Sequence, residues 1–195
     1  MIPPTIASMC CIRLTILAIL FGLCTDVDVA SGDEVEAWSA LRAGRHVALM
    51  RHTDAPGTGD PPGFRIDDCA TQRNLTAKGR LDAATIGSRL RAEGISVERI
   101  YSSPWCRCMD TAKLLALGSV EVEPMLGGMV LLNNQREVSI ARARALIEKW
   151  AGSGILLLVT HGFNIQALTG ISPASGEIVV VRSGSSERVG RLTLN

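Results

Sequence analysis

The run Ile155-Leu156-Leu157-Leu158-Val159-Thr160 constrains the fold more than any other segment of this chain. Successive side chains of a strand project to opposite faces, so a strand built here is apolar on both. Such a strand is stable only inside a sheet covered on both sides, as in the parallel sheets of α/β proteins. A shorter apolar run, Val47 to Met50 within His46–Arg51, has the same character. Each run delivers a histidine at its carboxyl end, His52 in Arg51-His52-Thr53 and His161 in Thr160-His161-Gly162. The chain has 3 histidines, so this shared context is unusual. An arginine beside His52 points to an anion site, and a histidine in such a site can attack a phosphoryl group as well as hold it.

Strand and helix signals alternate along the rest of the chain. His46–Arg51 reads as a strand and Asp54–Asp68, rich in Gly, Pro and Asp, as a loop. Thr76–Glu93 reads as a helix with Thr76 as cap, Leu81, Ala84, Ile86 and Leu90 as its apolar stripe, and Gly94 as its stop. Val97–Ser102 is a second strand, and Pro104 opens a second helix reaching about Leu117. Glu121–Met125 is a short edge strand, Val138–Ala151 a helix, Ile155–Thr160 the buried strand and Phe163–Leu168 a short helix. Ile178–Arg182 and Val189–Leu194 close the sheet. This alternation predicts a three-layer α/β/α sandwich with a largely parallel central sheet. A chain of 195 residues, 47% hydrophobic, accommodates one such domain.

Residues 1–31 read as a secretory leader. Arg13 precedes the apolar run Leu14–Cys24, which is too short for the ~20 residues of a membrane span, and small residues Ala30, Ser31 and Gly32 follow. Retention as an anchor and lipid attachment at Cys24 are rival readings, the latter disfavoured by Leu23 immediately before it. The expected domain is therefore residues 32–195, exported to a periplasmic or extracellular compartment, with no stable membrane insertion after cleavage. The net charge of +1 gives no field to recruit nucleic acid. Three cysteines fall in the domain, Cys69, Cys106 and Cys108. An oxidising compartment favours one disulfide, from Cys69 to Cys106 or to Cys108, with the odd thiol buried. The rival zinc site lacks a clear fourth ligand, so no metal or cofactor is expected.

Ligands of open α/β sheets bind beyond the carboxyl ends of the strands. There lie His52, Ser102-Ser103-Pro104 and His161, with Arg107 in the first turn of the next helix. The residues Arg51-His52-Thr53, Asn74-Leu75-Thr76-Ala77-Lys78-Gly79-Arg80, Ser102-Ser103-Pro104 with Arg107 and Thr111-Ala112, and Thr160-His161-Gly162 resemble the successive motifs of the histidine phosphatase superfamily, whose fold is shared with phosphoglycerate mutases. The likeness covers about residues 44–195 and suggests a small exported bacterial member.

The resemblance implies a metal-independent phosphoric monoester hydrolase without cofactors. His52 becomes the nucleophile of a phosphohistidine intermediate, Arg51 and Arg107 clamp the phosphoryl oxygens, and His161 donates to them. One departure stands out. The segment Pro124-Met125-Leu126-Gly127-Gly128 puts Gly128 where many members carry a glutamate acid. Asp54 is the nearest carboxylate to His52 in sequence and is taken as the candidate acid, with Glu123 and Glu137 as alternatives. Two other readings follow from this gap: a phosphohistidine or acyl-phosphate phosphatase that needs no carboxylic acid, and a non-catalytic phosphate-binding domain. The expected substrate is a small phosphorylated molecule, such as a cell-envelope sugar phosphate. Arg65 and Arg73 read as solvated loop arginines, with contact to an anionic substrate as the alternative; Trp38, Trp105 and Trp150 read as packing residues, with the pocket mouth as the alternative for Trp105.

Overall fold

The computed structural model describes residues 32–127 and 136–194. The expected leader, residues 1–31, and Gly128 lie outside the described residues. In chain order the elements are α1 (Gly32–Ala43), β1 (His46–Arg51), α2 (Ala77–Ala92), β2 (Val97–Ser102), α3 (Cys106–Leu114), β3 (Val120–Val122), α4 (Arg136–Glu148), β4 (Ile155–Thr160), α5 (Gly162–Thr169), β5 (Ile178–Arg182) and β6 (Arg188–Leu192). One-turn 3-10 helices cover Cys69–Thr71 and Pro124–Leu126.

The six strands form one sheet in the order β3-β2-β4-β1-β5-β6. β4 pairs in parallel with β1 on one side and β2 on the other, and β3 extends β2 in parallel. β5 and β6 close the sheet antiparallel. The all-apolar run is thus an interior strand, and every residue of it is buried. Alternation then sorts its side chains. Ile155, Leu157 and Val159 join Ala48, Met50 and residues of α1, α2 and α3 in one core. Leu156 and Leu158 join Val47, Leu49 and residues of α4 and α5 in the other. Each such side chain contributes about 1.5–3 kcal/mol by leaving water. The expected α/β/α layering and largely parallel sheet are both present.

Four local expectations need correction. Leu81 is 66% exposed and Ala84 is also exposed. The buried face of α2 is Gly79, Asp82, Ala83, Ile86, Gly87 and Leu90. α3 begins at Cys106 with Trp105 as its N-cap, so Pro104 precedes the helix instead of opening it. It ends at Leu114, where Ala116 turns into the left-handed region at φ 51°. The edge strand stops at Val122, because Pro124 has no N–H to continue a ladder and starts a 3-10 turn. Finally, α1 had no clear sequence signal. It lies along β6, and Gly190 makes this possible: a Cβ there would stand 2.2 Å from the Asp33 carbonyl oxygen. Among the described residues, no helix is long and apolar enough to cross a membrane.

Candidate active site

His52 continues directly from β1. Its N–H donates to the Thr160 carbonyl of β4 at 3.0 Å, which carries strand pairing one residue further and fixes the backbone. Its Nδ1 lies 2.8 Å from the Thr53 carbonyl oxygen. A carbonyl only accepts, so Nδ1 holds the proton and Nε2 keeps a free lone pair. Burial lowers the His52 pKa to about 3, with the charges of Arg107, Arg73 and Arg51 adding to the effect. The imidazole is therefore neutral and nucleophilic at ordinary pH.

His161 follows β4 in the same way and caps α5. Its ring stands edge-on to His52, centroids 5.6 Å apart. Trp105 meets it edge-on at 5.4 Å and Phe163 stacks on it at 5.5 Å. Ser103, from the expected Ser102-Ser103-Pro104 motif, places Oγ 3.0 Å from His161 Nε2. Burial again holds this histidine well below its usual pKa, helped by Arg107. Cys108 lies 3.7 Å from the same Nε2 through Sγ, and burial pushes that thiol up to about 12, so it stays protonated.

These groups open onto a cavity of about 460 Å³, lined among others by Arg51, His52, Asp60, Arg73, Arg107 and His161. Arg107, in the first turn of α3, is 5% exposed and donates through Nη1 to Asp60 Oδ1 at 2.8 Å. Asp60 is 3% exposed at its side chain and also accepts from the Arg73 N–H at 3.0 Å and from Trp105 Nε1 at 3.0 Å. Burial would raise its pKa, but these donors and the Arg107 charge outweigh that and leave it below the usual carboxylate value. Arg73 is held by the Ala55 carbonyl, and Arg51 by the Pro173 carbonyl, each at 2.8 Å. The buried Nε groups of Arg73 and Arg107 have no partner among the described residues. Three guanidiniums lining a cavity that holds one carboxylate are what an oxyanion would satisfy.

The sequence-expected residues His52, Arg51, Arg107 and His161 are thus brought together. Asp54 is not. Its carboxylate accepts from the Thr76 hydroxyl at 2.7 Å, and it does not line the cavity. Instead it anchors the start of α2: Thr76 Oγ accepts from the Gly79 N–H, and a Cβ on Gly79 would meet the Asp54 carbonyl at 2.1 Å. That contact explains the Leu-Thr-x-x-Gly segment. Glu123 is engaged by Arg142 and the Met125 N–H, away from the cavity. The residue that sequence reasoning missed is Asp60, on the irregular loop; Arg73, read as a solvated loop arginine with substrate contact as the alternative, lines the cavity. Trp105 does line the cavity, whereas Arg65 pairs with Asp67 and Asp68 outside it.

Cys69 and Cys106 form the disulfide, with Cα atoms 5.7 Å apart, and Cys108 is free and buried. The bridge ties the loop to the residue next to Arg107. Gln72 reinforces it, accepting from the Cys106 N–H while donating to the Arg65 and Ile66 carbonyls. Among the described residues, no group of three or more His, Cys, Asp or Glu is placed to hold a metal ion.

A family model, the histidine phosphatase superfamily (branch 1), matches residues 47–128. Residues 47–128 belong to the histidine phosphatase superfamily. The fold extends this likeness beyond that segment. The protein histidine phosphatase SixA, in its complex with tungstate, superposes with a TM-score of 0.51 over 77% of this chain and 94% of its own, at 23% identity. The phosphohistidine phosphatase SixA of Agrobacterium tumefaciens, described as putative, gives 0.53 over 78% and 99%, at 18% identity. In sequence, the mitochondrial serine/threonine-protein phosphatase Pgam5 of Drosophila virilis is 34% identical over 74 residues. That match spans 38% of this chain and 23% of the relative's length. The histidine phosphatase segment contains His52, Arg51, Asp60, Arg73 and Arg107, while His161 comes from the part of the sheet that follows it.

Proposed function

We propose that this protein is a phosphatase that works through a phosphohistidine on His52. The supporting observation is one cavity in which a neutral histidine with a free Nε2 faces three guanidiniums, from Arg51, Arg73 and Arg107. In the proposed reaction the arginines hold the phosphoryl oxygens. The Nε2 lone pair forms an N–P bond as the bond to the leaving group breaks, and the leaving group departs with that electron pair. Water then attacks phosphorus, the N–P bond returns its electrons to Nε2, and inorganic phosphate leaves. His161 supplies a further hydrogen bond to the transferring group. About 460 Å³ suits a small phosphorylated compound or a single side chain.

A specific observation bears on the substrate. Among the described residues the only carboxylate lining the cavity is Asp60, held ionised by its three donors. This favours substrates whose leaving group needs little protonation, such as acyl phosphates, phosphohistidine or aryl phosphates. The disulfide supports the proposal that the protein works in an oxidising, exported setting.

The test is hydrolysis of an aryl phosphate by the wild-type protein and by His52→Ala, with a rapid-quench search for acid-labile phosphate on the wild type. Turnover that vanishes in the variant, with labelled phosphate trapped only in the wild type, supports the reading. Reversible phosphate binding without turnover in either would replace it with the binding-domain alternative.

A further inference from the structure

Asp60 is out of place in a pocket built for an anion. It is an aspartate, its side chain is 3% exposed, and it takes Nη1 of Arg107 at 2.8 Å. It arrives on a loop segment, Gly57-Thr58-Gly59-Asp60, whose four residues all line the cavity. Gly57 and Gly59 adopt φ of 72° and 74°, and a Cβ at either would meet nothing within 4 Å. The glycines are there for the backbone path that delivers the carboxylate, not for close packing. Both carboxylate oxygens are bonded, Oδ1 to Arg107 and the Arg73 N–H, Oδ2 to Trp105.

The charges explain why such a residue is useful. The titratable groups lining the cavity are Arg51, Arg73, Arg107, His52, His161 and Asp60. With both histidines neutral, three guanidiniums against one carboxylate leave two positive charges. A phosphate monoester carries two negative charges at neutral pH. Without Asp60 the pocket would hold one charge more than its ligand and would retain inorganic phosphate after each turnover.

We propose that Asp60 is a built-in counter-anion: it positions Arg107 through Nη1 and offsets one guanidinium charge, so that the pocket matches a phosphate dianion and lets the product go. This rests on reading the cavity as a phosphoryl site. Asp60 is accordingly a positioning residue. Both side-chain hydrogen bonds of Arg107 to the protein, to Asp60 and to the Arg73 carbonyl, run through Nη1.

The decisive variant is Asp60→Asn. Its amide oxygen still accepts from Arg107 and the Arg73 N–H, while the charge is gone. Calorimetric titration with inorganic phosphate, and with tungstate, should show binding at least about fivefold tighter than wild type, the effect of one charge about 4 Å away at the dielectric of water, and more where the site is drier. With an aryl phosphate, KM and kcat should fall together as product release slows. Unchanged or weaker phosphate binding in Asp60→Asn overturns the proposal, because a merely structural carboxylate gives that result. Asp60→Glu keeps the charge and should bind phosphate within about threefold of wild type, by the same distance argument. A Glu variant that tightens by about fivefold or more also overturns it, and this arm decides the matter if Asp60→Asn does not fold. Wild-type protein that binds neither anion would instead overturn the phosphoryl-site reading itself.

Discussion

The hydroxyls of Thr53 and Thr111 lie 3.1 Å apart in the core. Thr111 also accepts from the Thr53 N–H at 3.2 Å and donates to the Arg107 carbonyl at 2.7 Å. The residue after the nucleophile is therefore bonded to the helix that carries the phosphate clamp. The Thr53 hydroxyl adds a link that a glycine at this position could not make. Thr111→Val keeps the shape and removes the link. It leaves the buried Thr53 N–H without its acceptor and should cost about 1–3 kcal/mol. Urea unfolding reads that loss, and kcat should fall as His52 and Arg107 lose register. Stability and kcat both at wild-type level would show the link to be idle.

Acid should unfold this protein through its histidines before its carboxylates. His52 and His161 have folded pKa values below the unfolded value of about 6.5. The unfolded chain therefore binds the extra protons first, and stability contributed by the neutral rings is complete above pH ~6.5 and lost as pH falls toward the folded values. Each ring contributes up to about 1.4 kcal/mol per pH unit in that window. Asp60, also lowered, adds its loss only below the carboxylate range. Thermal melts from pH 7 to pH 4.5 should thus slope downward. His52→Asn should flatten the slope, and an unaltered slope in that variant would contradict the assignment.

Reducing the Cys69–Cys106 bridge should affect both stability and turnover. The bridge spans a sequence separation of 37, for which loop-closure entropy gives about 3–4 kcal/mol. Denaturation with and without a phosphine reductant measures this. Turnover should drop more than a global stability loss alone explains, because the bridge joins the loop bearing Asp60 and Arg73 to the residue beside Arg107. Full activity of the reduced protein at a temperature where it stays folded would separate the bridge from the site.

Gly79→Ala tests the docking of the loop on α2. The added Cβ would fall 2.1 Å from a backbone carbonyl, that of Asp54, so the backbone must shift. A loss of about 1–3 kcal/mol is expected. Since the shift occurs two residues beyond His52, turnover should fall too. A stable, active variant would mean that Asp54 is free to move.

The strands and their rim were legible because one physical cause dominates there. Ile155–Thr160 can only be buried on both faces, and that fixes β4 between β1 and β2 and brings His52, Ser103 and His161 to one edge. The helices were legible as helices but less so in phase. Leu81 belongs to the exposed side of α2, whose buried side uses Gly79 and Gly87 to approach its neighbours closely. Hydrophobicity favours the leucine, whereas close approach favours glycines that carry no hydrophobic signal. Asp60 was illegible, and Arg73 legible only as a loop arginine, for a related reason. Their positions follow from turns, a disulfide and hydrogen bonds to Gln72 and Trp105, none of which has a period. The clue available was an acid and an arginine flanking a cysteine within a glycine-rich stretch.

The loop between His52 and Leu75 contains no strand, yet it is pinned along its length: Thr53 to Thr111, Asp54 to Thr76, Asp60 to Arg107 and Trp105, Cys69 to Cys106 and Gln72 to the Cys106 N–H. Between the Asp54 and Asp60 attachments, Gly57 and Gly59 stand beside open space. In evolutionary terms this is a cassette. Its attachment points are shared with the frame, while the stretch between Asp54 and Asp60 faces open space at its two glycines, so new ligand preferences can arise here while the nucleophile stays where β1 puts it.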